Sequence, residues 1–259
     1  MKHYKVAVFG ATVLAAGIAE SLKNDAIIIE KTESSAVDYV SCINIPLSEI
    51  KKCKKEQSKK FLQEIKNRNL INEQGKVHVF PVAGICAKSF LESNTLLSTD
   101  IISVEKLEDE YEITVFNIDG FSKIRAKYIV DTIATGILGV ESGKLEYKKY
   151  INAAINGEVR ENKYLQQGRF ENEFVFSLEV KKDTSYSDAV RSLHEKWQKL
   201  SGYELKEYEI TAVAPQFAYV FENPVEFYID RNYLFKPSAS LKNLGEAYEE
   251  GIYVSELFM

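Results

Sequence analysis

The stretch Met1 to Glu30, MKHYKVAVFGATVLAAGIAESLKNDAIIIE, decides the fold. Tyr4 to Phe9 is a continuous apolar run of the kind buried on both faces of a parallel sheet, and it stops at Gly10. From Val13 to Leu22 the apolar and small residues Leu14, Ala15, Gly17, Ile18 and Leu22 suit a helix packed closely on that strand. Ala26 to Ile29 is a second buried strand, and Glu30 follows at once. Strand, helix and strand in this length form the opening βαβ half-unit of a dinucleotide-binding fold.

The turn reads Gly10-Ala11-Thr12-Val13-Leu14-Ala15. In the fingerprint G-x-G-x-x-G the first glycine makes the tight turn, the second lets backbone approach a pyrophosphate, and the third packs helix on strand. Gly10 suits the first role and Ala15 the third. Thr12 stands in the second, where its side chain crowds the phosphates while its hydroxyl offers them a donor. Glu30 comes about twenty residues after Gly10, where a carboxylate accepts from ribose hydroxyls. The bland alternative is a degenerate α/β unit in which Glu30 is a solvated strand end.

Beyond this unit, a lysine-rich helix is predicted over Leu47 to Asn67, with Phe61, Leu62 and Ile65 as apolar contacts and Lys51 to Lys60 on its solvated side. A short strand Val77 to Phe80 precedes a helix Val82 to Leu91 that begins after Pro81. Leu96 to Lys106, Tyr111 to Asn117 and Ser122 to Ile129 form a three-stranded meander with an Asp119-Gly120 turn. Tyr128 to Thr132 is then a strand ending in the turn Ala134-Thr135-Gly136.

Between Glu141 and Glu226 the pattern changes to amphipathic strands, Tyr150 to Gly157, Phe174 to Lys181 and Glu207 to Phe221, with one helix, Ser187 to Leu200. Ala189, Leu193, Trp197 and Leu200 fall on one side of that helix, with Ser187 as its cap. Tyr233 to Phe235 reads as a returning strand before Lys236-Pro237-Ser238-Ala239-Ser240 and a terminal helix from Asn243. The expected division is residues 1–140 and 227–259 as a nucleotide domain, with 141–226 as an inserted second domain.

Composition limits what these motifs can mean. With 259 residues, 45% of them hydrophobic and 27% charged, the chain can bury a sizeable core. A net charge of −5 spread along the chain favours neither nucleic acid nor an anionic membrane surface. The amino-terminal apolar run is too short for a signal-peptide core or a membrane span. Cys42, Cys53 and Cys86 are odd in number, form no CxxC, and have no histidine at metal-ligand spacing. A reduced, cytoplasmic protein without a structural metal is the expectation.

The order of elements resembles the FAD-dependent oxidoreductases of the glutathione-reductase-like type. In that family the nucleotide unit is followed by helices, a meander, a strand ending in a segment like Asp-Ala-Thr-Gly, a substrate domain and a late return to the flavin. The counterparts are Ala126 to Ile137, AKYIVDTIATGI, and Asn232 to Gly251, NYLFKPSASLKNLGEAYEEG. The resemblance implies an α/β, Rossmann-like FAD/NAD(P)-binding domain with a β-meander and an inserted β-rich (α+β) substrate domain.

It further implies that Gly10, Thr12 and Ala15 face the FAD pyrophosphate, Glu30 the adenosine ribose, and the backbone near Ile101 the adenine. Thr135 and Gly136 would lie near the adenosine half, and Ser238 with Ala239 near the flavin-contacting turn. Two departures stand out. Lys31-Thr32-Glu33-Ser34-Ser35 lacks the paired glycines often found there, and the return lacks the familiar Gly-Asp pair.

Other residues offer less. Cys86, among apolar neighbours, reads as an inert buried thiol, and His78 as a structurally satisfied histidine. His194 lies off its helix's apolar stripe, and His3 is terminal. Phe217, Tyr219, Phe221, Phe227 and Tyr228 suit an ordinary strand core better than a pocket lining. Arg169 and Arg231 are candidates for a carboxylate substrate that no spacing singles out.

Flavin chemistry needs no protein nucleophile, so no catalytic residue is assigned. The leading expectation is an FAD-dependent oxidoreductase that passes a hydride from a small-molecule substrate to the flavin, with a protein partner or second copy left open. The rival is a non-catalytic protein that retains the flavoprotein fold as a binding or assembly module. An NAD-dependent enzyme fits the meander and late return less well.

Overall fold

The computed structural model describes residues 2–45, 53–137, 145–157, 164–204 and 209–259. The opening unit is as the sequence implies: strand β1 (Lys2–Phe9), helix α1 (Val13–Leu22) and strand β2 (Ala26–Ile29). Helices α2 (Glu56–Asn67) and α3 (Val82–Phe90) follow, then strands β3 (Asn94–Leu96), β4 (Asp100–Lys106), β5 (Tyr111–Asn117) and β6 (Gly120–Asp131). Strands β7 (Tyr147–Asn156), β8 (Leu165–Gln167) and β9 (Glu173–Val180) lead to helix α4 (Tyr186–Glu204) and strands β10 (Glu209–Val213) and β11 (Ala218–Phe221). The return consists of β12 (Phe227–Asp230), β13 (Tyr233–Phe235) and helix α5 (Leu244–Glu256).

The first sheet has eight strands, with the order β12-β13-β6-β1-β2-β3 along its main path. Its centre is parallel, because β1 pairs with β2 on one side and β6 on the other, and β13 runs parallel to β6. Strand β6 carries the architecture. Its first half pairs antiparallel with β5 to close the meander β4-β5-β6, while its second half is the parallel neighbour of β1 and β13.

The alternation of β1 serves two layers at once. Val6 and Val8 face the core formed with α1, α3 and α5, whereas Ala7 and Phe9 face Tyr111, Ile113 and Val115 of the meander. The result is a helical layer, a parallel sheet and a meander. A second, five-stranded antiparallel sheet is centred on β7 and β9. Helix α4 covers it through Ala189, Leu193 and Trp197, whose ring meets Phe176 edge-on at 5.3 Å.

Several boundaries differ from the sequence expectation. The predicted helix from Leu47 begins only at Glu56, with Leu47 to Lys52 outside the described residues. Val77 to Phe80 makes a single bridge, Ile71 to Val77, rather than a strand. The run Leu96 to Lys106 is broken by Ser98, whose φ of +48° separates β3 from β4. Helix α4 starts before Ser187, and the Ser185 hydroxyl, rather than Ser187, accepts from Asp188 N. The predicted strand Glu207 to Phe221 is two strands parted at Pro215, with Glu207 outside the described residues. The expected boundary at 140/141 also lies outside them.

Helices α1 and α5 cross where glycine meets glycine. A Cβ on Gly17 would overlap the carbonyl oxygen of Tyr248, and one on Gly251 would overlap that of Leu14. The small residue read as packing on the sheet is therefore needed for this crossing. Asn243 caps α5 by accepting from Glu246 N at 2.9 Å.

Candidate functional site

The site forms where the parallel strands end. Phe9 leads into Gly10, which takes a φ of +90° and donates its N–H to Ile29 O at 2.9 Å. A side chain there would strike Ile133 and Thr132, so the tight turn requires glycine. The next residues open α1, whose first amides lack intrahelical partners and carry the positive end of the helix dipole. In dinucleotide-binding folds these amides receive the pyrophosphate.

Here the protein supplies their acceptors itself. Ala11 N donates to Glu30 Oε2 at 2.9 Å, Val13 N to Asp38 Oδ1 at 3.1 Å, and Leu14 N to Ser238 Oγ at 3.3 Å. Ala15 N donates to Thr12 Oγ1 at 3.1 Å, and Ala16 N to Thr12 O at 3.0 Å. Thr12 is thus the N-cap of α1. Its hydroxyl donates in turn to Thr132 Oγ1 at 2.9 Å, which donates to Phe9 O at 2.7 Å.

Three distant segments therefore close on this helix end. The Ser238 hydroxyl donates to Asp38 Oδ2 at 2.5 Å, joining the return segment to the loop after β2. Ala36 in that loop takes the left-handed φ of +53°, a conformation more usual for glycine. Glu30 is buried, which corrects the reading of a solvated strand end. Besides Ala11 N, it accepts from Thr32 N at 2.8 Å and Thr32 Oγ1 at 2.9 Å.

Burial pushes the Asp38 carboxyl up to about 6, although Ser238 and Val13 N pull it down. Asp131, at the end of β6, is likewise pushed up to about 6 by burial. It accepts from Ile133 N at 3.1 Å, Ile137 N at 2.7 Å and the Tyr233 hydroxyl at 3.1 Å, and so shapes the turn that carries Thr135 and Gly136.

Beside the helix end lies a cleft of about 400 Å³, between the loops of the parallel sheet and the second sheet. Glu30, Asp38, Thr12 and Thr132 line one wall, while Phe217, Tyr219 and Tyr186 line the opposite one. Asn152 Nδ2 fixes the two sides by donating to Cys42 O at 2.9 Å and Ile43 O at 3.2 Å. The Cys42 thiol donates to Phe217 O at 3.0 Å, and burial pushes its pKa up, so it is not a ready nucleophile. Among the described lining residues Lys31 is the one lysine or arginine; it is exposed and paired with Asp100 at 3.3 Å.

Of the residues singled out from sequence, Thr12, Glu30, Thr135 and Ala239 line this cleft. Gly10, Ala15 and Ser238 are buried around the helix end. Gly136 sits in the turn with a φ of +69°, and Ile101 packs in the meander core away from the cleft. Sequence reasoning missed Asp38 and Thr132. The signal for Asp38 was a carboxylate within Ala36-Val37-Asp38-Tyr39-Val40, a run otherwise suited to burial. Phe217 and Tyr219 line the cleft rather than only a core, whereas Phe221 and Phe227 join a small core with Phe235. His78 pairs with Glu173 at 2.6 Å, Cys86 is buried, and His194 and Arg231 are exposed.

No protein-family model matches this sequence, and no curated protein matches it. Solved structures do match its shape. Glycine oxidase from Geobacillus kaustophilus is 12% identical with a TM-score of 0.65, over 100% of this chain and 95% of that one. L-proline dehydrogenase from P. horikoshii is 15% identical with a TM-score of 0.63, over 99% and 93%. p-Nitrophenol 4-monooxygenase PnpA from Pseudomonas putida DLL-E4 is 11% identical with a TM-score of 0.61, over 99% and 78%. The chain has the Rossmann-type FAD/NAD(P)-binding fold with a second, β-rich sheet. No helix among the described residues is long and apolar enough to cross a membrane.

The arrangement at α1 does not fit an FAD pyrophosphate. The amides of Ala11, Val13, Leu14, Ala15 and Ala16 already have acceptors within the chain, Thr12 stands where backbone must approach the phosphates, and the Asp38 carboxylate holds Val13 N. A phosphate oxygen brought to that amide would have to displace the Asp38 carboxylate, a group of the same sign of charge.

Proposed function

We propose that this chain is a binding module built on the flavoprotein fold, which takes a small molecule into the cleft and does not hold FAD as a resident group. The observation that carries this reading is the Asp38 carboxylate, seated on Val13 N and locked by Ser238. With Ala11, Val13, Leu14 and Ala15 N held by the protein's own oxygens, those donors are not offered to a diphosphate. Residues 1–140 and 227–259 would form the scaffold, and 141–226 the cap that supplies the aromatic wall.

A second reading, an FAD-dependent oxidoreductase acting on a small-molecule substrate in the cytoplasm, is favoured by one observation. The fold matches a glycine oxidase and a proline dehydrogenase over nearly the whole of each chain. In it, Gly10, Thr12 and Ala15 face the pyrophosphate, Glu30 the ribose, Ile101 the adenine, and Thr135, Gly136, Ser238 and Ala239 the rest of the cofactor. It requires Asp38 and Glu30 to release the amides they hold.

One experiment separates the two readings. The purified protein is examined by absorption spectroscopy and then titrated with FAD while its thermal midpoint is followed. A colourless protein without a thermal shift is the expected result. Co-purified FAD, or a midpoint raised by FAD as much as by the same concentration of riboflavin, would overturn the binding-module reading and support the oxidoreductase.

A further inference from the structure

We propose that the cleft selects uncharged planar ligands that carry no phosphate, and that Asp38 is the residue that sets this choice. The inference rests on the binding-module reading and gives it a ligand class. Its basis is the difference between the two walls. One presents the Phe217 and Tyr219 rings, so a flat unsaturated ligand can lie against it, while Ile133 and Val37 add apolar surface on the side of Thr132 and Asp38.

The other wall presents two buried carboxylates, Glu30 and Asp38, at the place where this fold has its strongest anion-attracting feature. The positive end of α1 is neutralised from within. Lys31 is exposed and its charge is already paired with Asp100, so it does not restore the attraction. The residues bonded to Asp38 act through it. Ser238 fixes one carboxylate oxygen and Val13 N the other, so the group cannot rotate away without leaving a buried hydroxyl and a buried amide unpaired. A ligand with a phosphate meets this fixed charge, whereas the same ring without the phosphate does not.

Riboflavin, FMN and FAD are suitable probes, because they share one planar ring and differ in phosphate and adenosine. Dissociation constants are measured for each by flavin fluorescence, with ADP competition as a control for the anion site. For the native chain riboflavin is expected to bind, with FMN and FAD at least about tenfold weaker and ADP without effect. In Asp38→Ser combined with Thr12→Gly the penalty on FMN and FAD is expected to fall by about tenfold or more, with riboflavin little changed. Circular dichroism and a thermal melt establish that the double variant folds. Should it not, Asp38→Asn removes the charge at nearly constant shape and is expected to narrow the same gap.

The outcomes are distinct. FAD binding to the native chain as tightly as riboflavin overturns both this inference and the binding-module reading. If none of the three flavins binds, the binding-module reading stands and the proposed ligand class is overturned. If riboflavin binds but a folded Asp38 variant rejects FMN and FAD as strongly as the native chain, the role given to Asp38 is wrong.

Discussion

The carboxyl group of Asp38 has a cost that the molecule meets only above a certain pH. Burial raises it from an ordinary 3.8 to about 6, and Asp131 shares the same shift for the same reason. A carboxylate whose folded pKa lies above its unfolded one holds its proton longer in the folded state, so folding binds protons between these values. The stability it contributes is full below about 3.8 and is lost as pH rises through about 6. For a shift of this size the loss is on the order of 3 kcal/mol per group at most. Asp38→Asn removes the charge but sets an amide N–H against the Ser238 hydroxyl, a mismatch of roughly 1 kcal/mol. Thermal midpoints of the variant should therefore lie slightly below native at pH 4 and above native at pH 7. Midpoint curves that stay parallel from pH 4 to 7 would show that Asp38 is not the group responsible.

Helix α1 is held from two directions, by caps at its start and by α5 along its side. The crossing at Gly17 and Gly251 leaves no room for a methyl group against backbone carbonyls, which cannot shift as a side chain can. Gly251→Ala is expected to force the helices apart at a cost of about 1–3 kcal/mol or more, read as a lowered midpoint in urea with an unchanged slope. A midpoint at or above the native value would mean that the crossing adjusts freely. At this scale much was legible in sequence. The apolar runs at Tyr4 and Ala26, the Gly10 turn, the meander and the helix beginning after Asn243 follow local patterning. What was not legible depends on distant neighbours. The break at Ser98 arises because β3 joins β2 in the parallel sheet while β4 turns to the meander, and both continue one apolar run. The role of Asp38 was not legible for the same reason, since its partners Val13 and Ser238 lie 25 and 200 positions away.

The whole molecule is closed by its last segment, because the first sheet is completed only after the second has been made. Strand β13 is the parallel neighbour of β6, α5 covers α1, and Ser238 completes the helix-end network. The sequence resemblance anticipated this late return, and in the structure its Ser238 meets the start of α1 and the loop after β2. If the return is structural, its loss cannot be local. Residues Tyr233, Leu234, Phe235, Leu244, Tyr248, Ile252 and Val254 are all buried. At roughly 1.5–3 kcal/mol for each side chain, their combined burial is comparable to or larger than the ~5–15 kcal/mol that holds an ordinary domain folded. A chain ending at Glu226 should therefore lose its cooperative thermal transition, show reduced helical circular dichroism beyond the missing α5, and elute as expanded or aggregated material. The second sheet, with its own core around Phe176 and Trp197, is expected to account for whatever ordered signal survives. A truncated chain that stays monomeric and melts cooperatively near the native midpoint would mean that β1, β2 and β6 are sufficient without their partners, and that the return serves ligand binding alone.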